Sequence, residues 1–189
     1  MLLDIGSGIL TAIFVSWFFG MPVGGLLAIS IAFALLPDAD FIFHTFKRRR
    51  HKEHSHRHRE LLHYPIPFIA VGTIIASWFG VEYGILFAIA SSAHFMHDSI
   101  GIGWGVQWLY PFGKKHYGFI YRYQAPGREK VKQRILHVWP HEEIDLLVEK
   151  HGDPDWIKNI YLRFHPYAIF ELIIFLISLI ALYRYAHRL

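Results

Sequence analysis

Three stretches of this sequence, residues 5–36, 65–97 and 166–183, contain no Lys or Arg and only two carboxylates, Glu82 and Glu171. The strongly polar residues lie between and around them. An amphipathic helix of a soluble domain interleaves apolar and charged positions every three to four residues. Segregation into blocks makes segments that are apolar all round, which suit a bilayer or the centre of a large core. A chain of 189 residues cannot enclose three such segments in one core, and its 53% hydrophobic content exceeds the usual share of a soluble domain. The expected fold class is therefore all-α: a polytopic helical membrane protein with two short helical hairpins, a C-terminal span and a small cytoplasmic cap.

The hairpins follow from length. The first block, "IGSGILTAIFVSWFFGMPVGGLLAISIAFALLP", overshoots a bilayer as one helix and has Gly20, Pro22, Gly24 and Gly25 in its middle. The second repeats the design, its two runs meeting at Gly80 and Glu82. The third, "PYAIFELIIFLISLIALYRYAH", reads as a single span, with Glu171 expected at the membrane interface near Pro166. Between the second and third blocks, "PHEEIDLLVEKHG" has the proline start and glycine stop of a short amphipathic helix, and Asp153-Pro154 opens another. The resulting division is a membrane-embedded part over 1–113, an amphipathic cap over 114–165 and a C-terminal transmembrane helix over 166–189.

Lys47, Arg48, Arg49, Arg50, Lys52, Arg57 and Arg59 crowd the first polar connection, and the cap is basic as well. The positive-inside rule puts both in the cytoplasm of a protein of the cell's inner membrane. Asp4 and the lack of a basic start argue against a cleavable signal. The basic run has no nucleic-acid-binding module beside it, so the lipid bilayer and its anionic headgroups are the expected partners.

Cysteine is absent, so a metal would have to be held by histidine and carboxylate, a donor set suited to zinc, with manganese or iron as alternatives. Three segment ends deliver such residues to one membrane face. The first block ends in "LLPDADFIFH" with Asp38 and Asp40; the second begins after "HRHRELLHYP" with His58 and His63. It ends in "SSAHFMHDSIG", where His94 and Asp98, four apart, share a helical face and His97 is displaced around it. His51, His54 and His56 read as incidental members of a charged loop.

These segments resemble, in order and spacing, the motifs of the family of predicted membrane-bound metal-dependent hydrolases, which includes an inner-membrane protein described as LexA-binding. "LLPDAD" matches a leucine-proline-Asp-x-Asp motif. "HRELLHY" is similar to a His-Arg-Gly-x-Thr-His-Ser motif, with Glu60, Leu62 and Tyr64 at the glycine, threonine and serine positions. "HFMHDSIGIGWGVQWLYPF" looks like a His-x-x-x-Asp motif running on to an aromatic-proline pair, here Tyr110 and Pro111. The likeness covers roughly residues 1 to 113. Phe41 stands where many members have histidine, and the histidine usual near the N-terminus is missing, with Asp4 and Ser7 the polar residues there.

The resemblance implies a metal site of Asp38, Asp40, His58, His63, His94 and Asp98, with Arg59 at the motif's arginine. Asp40, if not spent on ligation, is the expected general base, and Arg59 is expected to stabilise developing negative charge. The resemblance implies a hydrolase using a metal-activated water, and the site's expected place at the cytoplasmic membrane face suggests a lipid or other amphiphilic ester or phosphoester as substrate. The competing reading is a non-catalytic integral membrane protein that binds metal ions or anionic lipid through its His/Arg-rich loop.

Overall fold

The computed structural model describes residues 1–39, 62–120 and 123–187. Helix α1 (Leu2–Phe19) ends at Gly20, whose left-handed φ of 66° turns the chain, and Pro22 starts α2 (Val23–Leu35). A short 3-10 turn, Leu36–Asp38, extends α2. Helix α3 (Pro65–Ser77) opens on proline and gives way at Gly80 to α4 (Val81–Ser99). Each pair packs as a hairpin, α1 on α2 and α3 on α4, and α4 also lies against α1 and α2. The last long helix, α6 (Pro166–Ala186), packs along α1.

Small residues let these helices approach. A Cβ on Gly8 would stand 2.9 Å from the Ile31 Cα, and the Ser30 hydroxyl donates to the Gly8 carbonyl at 2.7 Å. This close crossing with a polar clasp suits packing in lipid, where hydrophobic burial does not drive helices together. Gly8→Val is expected to wedge α1 from α2 and lower the melting temperature in detergent markedly. Ser30→Ala should cost only about 1 kcal/mol, because it removes one hydrogen bond and leaves the backbone contact. A Gly8→Val protein that melts like the parent would disprove the crossing.

Apolar side chains also cover much of the outside. Along α6, Phe170, Ile173, Leu176, Ile177 and Ile180 are exposed, and at the hairpin turns so are Trp17, Phe18, Trp78 and Phe79. Helices α1 and α6 are long and apolar enough to cross a membrane; α2 and α3 are shorter apolar helices. Exposed tryptophan and phenylalanine at helix ends fit a membrane interface.

The fold is mostly helical but not all-α. Strands β1 (Lys115–Phe119) and β2 (Leu136–Pro140) form a two-stranded antiparallel sheet in register Lys115↔Pro140 to Phe119↔Leu136. The preceding loop joins it through bridges Val106↔Tyr117 and Ile100↔Phe119. Five-residue strands carry too little alternation to stand out in sequence, and their pairing is non-local. After β2 come a 3-10 turn, His141–Glu143, and α5 (Ile144–His151), closed by Gly152. Asp153 then accepts from the Asp155 N–H at 2.8 Å and from Asn159 at 2.8 Å, and the Tyr123 hydroxyl donates to it. Although burial pushes its carboxyl up, the hydrogen bonds from Tyr123 and Asn159 hold it below the usual carboxylate range.

Candidate metal centre

Asp38, His63, His94 and Asp98 meet at one point, each offering a ligand atom within 4.8 Å of the other three. They arrive from three directions. Pro37 and the 3-10 turn present Asp38 at the end of α2. The helical spacing of α4 puts His94 and Asp98 one turn apart on one face. His63 lies in the extended residues before Pro65, where proline disfavours helix in the residue before it.

The His63 Nε2 is 3.3 Å from Asp98 Oδ2 and 3.8 Å from Asp38 Oδ1. The His94 Nε2 is 3.7 Å from Asp98 Oδ2 and 3.8 Å from Asp38 Oδ1. The imidazole nitrogens and carboxylate oxygens thus point at a shared centre. The His94 side chain is 1% exposed and the Asp38 side chain 41%, so the cluster is closed on the helix side and reachable past Asp38. The ring of Tyr64 stacks on Tyr110 with centroids 3.8 Å apart, which ties the segment carrying His63 to the loop after α4. That is a packing role for the tyrosine standing at the motif's serine position.

Of the residues singled out in the sequence, Asp38, His63, His94 and Asp98 are the ones brought together. Asp40, His58 and Arg59 lie outside the described residues. His97 turns away from the cluster, as its helical position predicts. Its Nδ1 is 2.8 Å from Asp4 Oδ1, and its Nε2 is 3.4 Å from Glu171 Oε1.

Behind the four residues runs a second layer of buried polar groups. Asp4 Oδ1 also faces the His94 Nδ1 at 3.3 Å, an ion-pair contact rather than an aligned hydrogen bond. Glu171 accepts from the Tyr161 hydroxyl at 2.9 Å. Desolvation, with the Glu171 carboxylate next in importance, pushes the Tyr161 phenol above its ordinary value, so it stays a donor. Glu171 is fully buried within the helical body. His97 and Tyr161 supply the partners that make a buried carboxylate tolerable. In the sequence Asp4 stands out only as a polar residue near the N-terminus, because its partners His94 and His97 lie on a distant segment. Its signal was a lone carboxylate in the first turn of an otherwise uncharged helix.

The YdjM inner membrane protein family matches residues 4–188. The chain belongs to that family. Searches of curated proteins and of solved structures found no match. Membership in the YdjM inner membrane protein family, with the apolar helices α1 and α6, establishes a membrane protein. The family match also reaches beyond the motif-bearing residues 1 to 113, through the cap and α6, so those parts belong to the family's common chain.

Proposed function

We propose that this YdjM-family protein is a membrane-bound metal-dependent hydrolase whose site opens on the cytoplasmic face of a polytopic helical body. The observation that carries the reading is the meeting of four ligand atoms from three separate segments around a buried imidazole. The His94 Nε2 is buried and has no hydrogen-bond partner among the described residues. A buried polar atom is costly without a partner, and a cation there would supply one. Two imidazoles and two carboxylates form a donor set zinc accepts, and contacts of 3.3 to 3.8 Å lie close to the roughly 3.3 Å edge of a tetrahedral site.

In this reading the His63 Nε2, the His94 Nε2 and the Asp38 and Asp98 carboxylates hold the metal, which supplies a water acidic enough to act as nucleophile near neutral pH. Asp4 faces the other ring nitrogen of His94, favouring the tautomer with Nδ1 protonated and Nε2 directed to the cluster. Asp38, the more exposed ligand, stands on the side from which substrate and water arrive. Asp40 as general base and Arg59 as anion stabiliser complete the proposal from the motif. A site at the end of apolar helices suits an amphiphilic ester or phosphoester, such as a lipid.

The test is zinc content and hydrolysis of an ester and phosphoester panel by the full chain purified in detergent. Asp4→Asn should keep the fold and weaken zinc binding by roughly 10–100-fold, the usual cost of losing a partner that orients a ligand. Deleting residues 51–57 should leave that zinc in place. A protein that binds zinc only through those loop histidines, and hydrolyses nothing on the panel, would refute the proposal.

A further inference from the structure

A second group of metal-ligating side chains lies outside this cluster, where the loop after α4 meets the polar cap. Gln107, His116 and His141 bring three side-chain atoms into a tight triangle. The Gln107 amide end is 3.0 Å from His116 Nε2 and 2.9 Å from His141 Nδ1, and the two ring nitrogens are 3.1 Å apart. The imidazoles are parallel, with 6° between their planes.

The backbone explains how they meet. The bridge between Val106 and Tyr117 sets Gln107 beside His116, the preceding residue in β1. The sheet pairs Lys115 with Pro140, so His141, directly after Pro140, emerges at the same end. Gln107 is 5% exposed and buried under this corner.

The three groups cannot hydrogen-bond to one another along all three edges of the triangle at once. Each corner is either a donor or an acceptor: a ring nitrogen with or without its proton, an amide NH₂ or an amide oxygen. Three corners share two roles, so one edge always sets like against like at about 3 Å. The His116 Nδ1 faces the Gly105 carbonyl at 3.3 Å and donates to it, which leaves the Nε2 with a lone pair. A backbone carbonyl receiving the far N–H is the usual support of a metal-binding imidazole. Rotating the Gln107 amide by half a turn presents its oxygen without moving any other atom. All three corners can then be acceptors directed at one point.

We propose that Gln107, His116 and His141 form a second metal site, through the Gln107 Oε1, the His116 Nε2 and the His141 Nδ1. It takes a borderline divalent cation of the zinc class. Two neutral imidazoles and an amide oxygen match that preference and lack the hard carboxylates that magnesium or calcium require. Edges of 2.9 to 3.1 Å need only a slight expansion to reach the roughly 3.3 Å of ligands held about 2.1 Å from a tetrahedral ion. This site stands on its own residues and does not depend on the hydrolase reading.

The experiment uses the full chain in detergent, stripped with chelator, reloaded with zinc, desalted and assayed for bound metal. His141→Ala should lose about one equivalent relative to the parent and keep the zinc that depends on Asp98. Asp98→Ala should do the reverse, and the double variant should lose both. Gln107→Glu tests the site without emptying it. A charged oxygen in place of a neutral one should tighten zinc binding by roughly tenfold, whereas Gln107→Leu should weaken it. Zinc should also raise the melting temperature of Asp98→Ala and fail to raise that of Asp98→Ala with Gln107→Leu. Parental zinc content in both His116→Ala and His141→Ala, with Gln107→Glu leaving the affinity unchanged, would overturn the proposal. Loss of zinc in Asp98→Ala alone would support the first site while refuting this one.

Discussion

His94→Ala is expected to strip about one equivalent of zinc from the purified protein and reduce hydrolysis to background. The effect should exceed the roughly 10–100-fold cost of an orienting partner such as Asp4, because a ligand itself is lost. His94 is the least replaceable of the four residues on two counts. Its Nε2 faces the Asp98 and Asp38 carboxylates at 3.7 and 3.8 Å, and its 1% exposure, the lowest of the four, means no water enters easily to take its place. Removing a buried ring also leaves a cavity, so part of any activity loss could come from a weakened fold. Asp98→Asn separates the two effects. It keeps the shape and burial of the side chain and replaces a charged ligand with a weak one. Metal and activity should fall in Asp98→Asn, while the metal-free proteins should melt at nearly the same temperature. Full zinc content in both variants would show that the four residues are a polar network and not a metal centre.

Gly105→Ala should be the most damaging small substitution in the loop that joins α4 to the cap. Gly105 has φ of 72°, and a Cβ there would fall onto the Tyr117 backbone carbonyl. The left-handed conformation alone costs an alanine on the order of 1 kcal/mol. The collision adds more, because a backbone wall cannot rotate aside. Together they predict a loss of about 3 kcal/mol. Gly127→Ala is the matched control: its φ is 73°, but nothing lies within 4 Å of the added carbon, so only the conformational cost remains. In Gly105→Ala the Val106–Tyr117 bridge, with Tyr117 N–H donating to the Val106 carbonyl at 3.0 Å, should open. Limited proteolysis between β1 and α5 and a lowered melting temperature measure this. Equal melting of the two alanine variants would contradict the close approach of this loop to β1.

The legible part of the site is the part whose geometry is local. His94 and Asp98 share a face of α4 through helical periodicity, and Pro37 and Pro65 fix non-helical backbone beside Asp38 and His63. Placing the three segment ends at one level needed only the hairpin topology, and Gly20, Pro22 and Gly80 mark those hairpins. The supporting layer was not legible. Asp4, His97, Glu171 and Tyr161 come from α1, α4, α6 and the turn before α6, and no spacing relates them. Glu171 shows the difficulty. A lone carboxylate near a proline gives no sign in sequence of the groups on another helix and the preceding turn that make its burial tolerable.

Block segregation of apolar residues by itself determined a helical membrane protein, because backbone in lipid must satisfy its own hydrogen bonds and helices do so locally. The candidate ligands were readable for the same reason, being set by the next residue or the next turn. Tertiary structure alone decided which polar groups lie behind the ligands, that β1 and β2 pair, and that Gln107, His116 and His141 meet at one corner. Each of these joins residues far apart in the chain. Their meeting is settled by packing and by pairing buried polar groups, and neither leaves a period in the sequence.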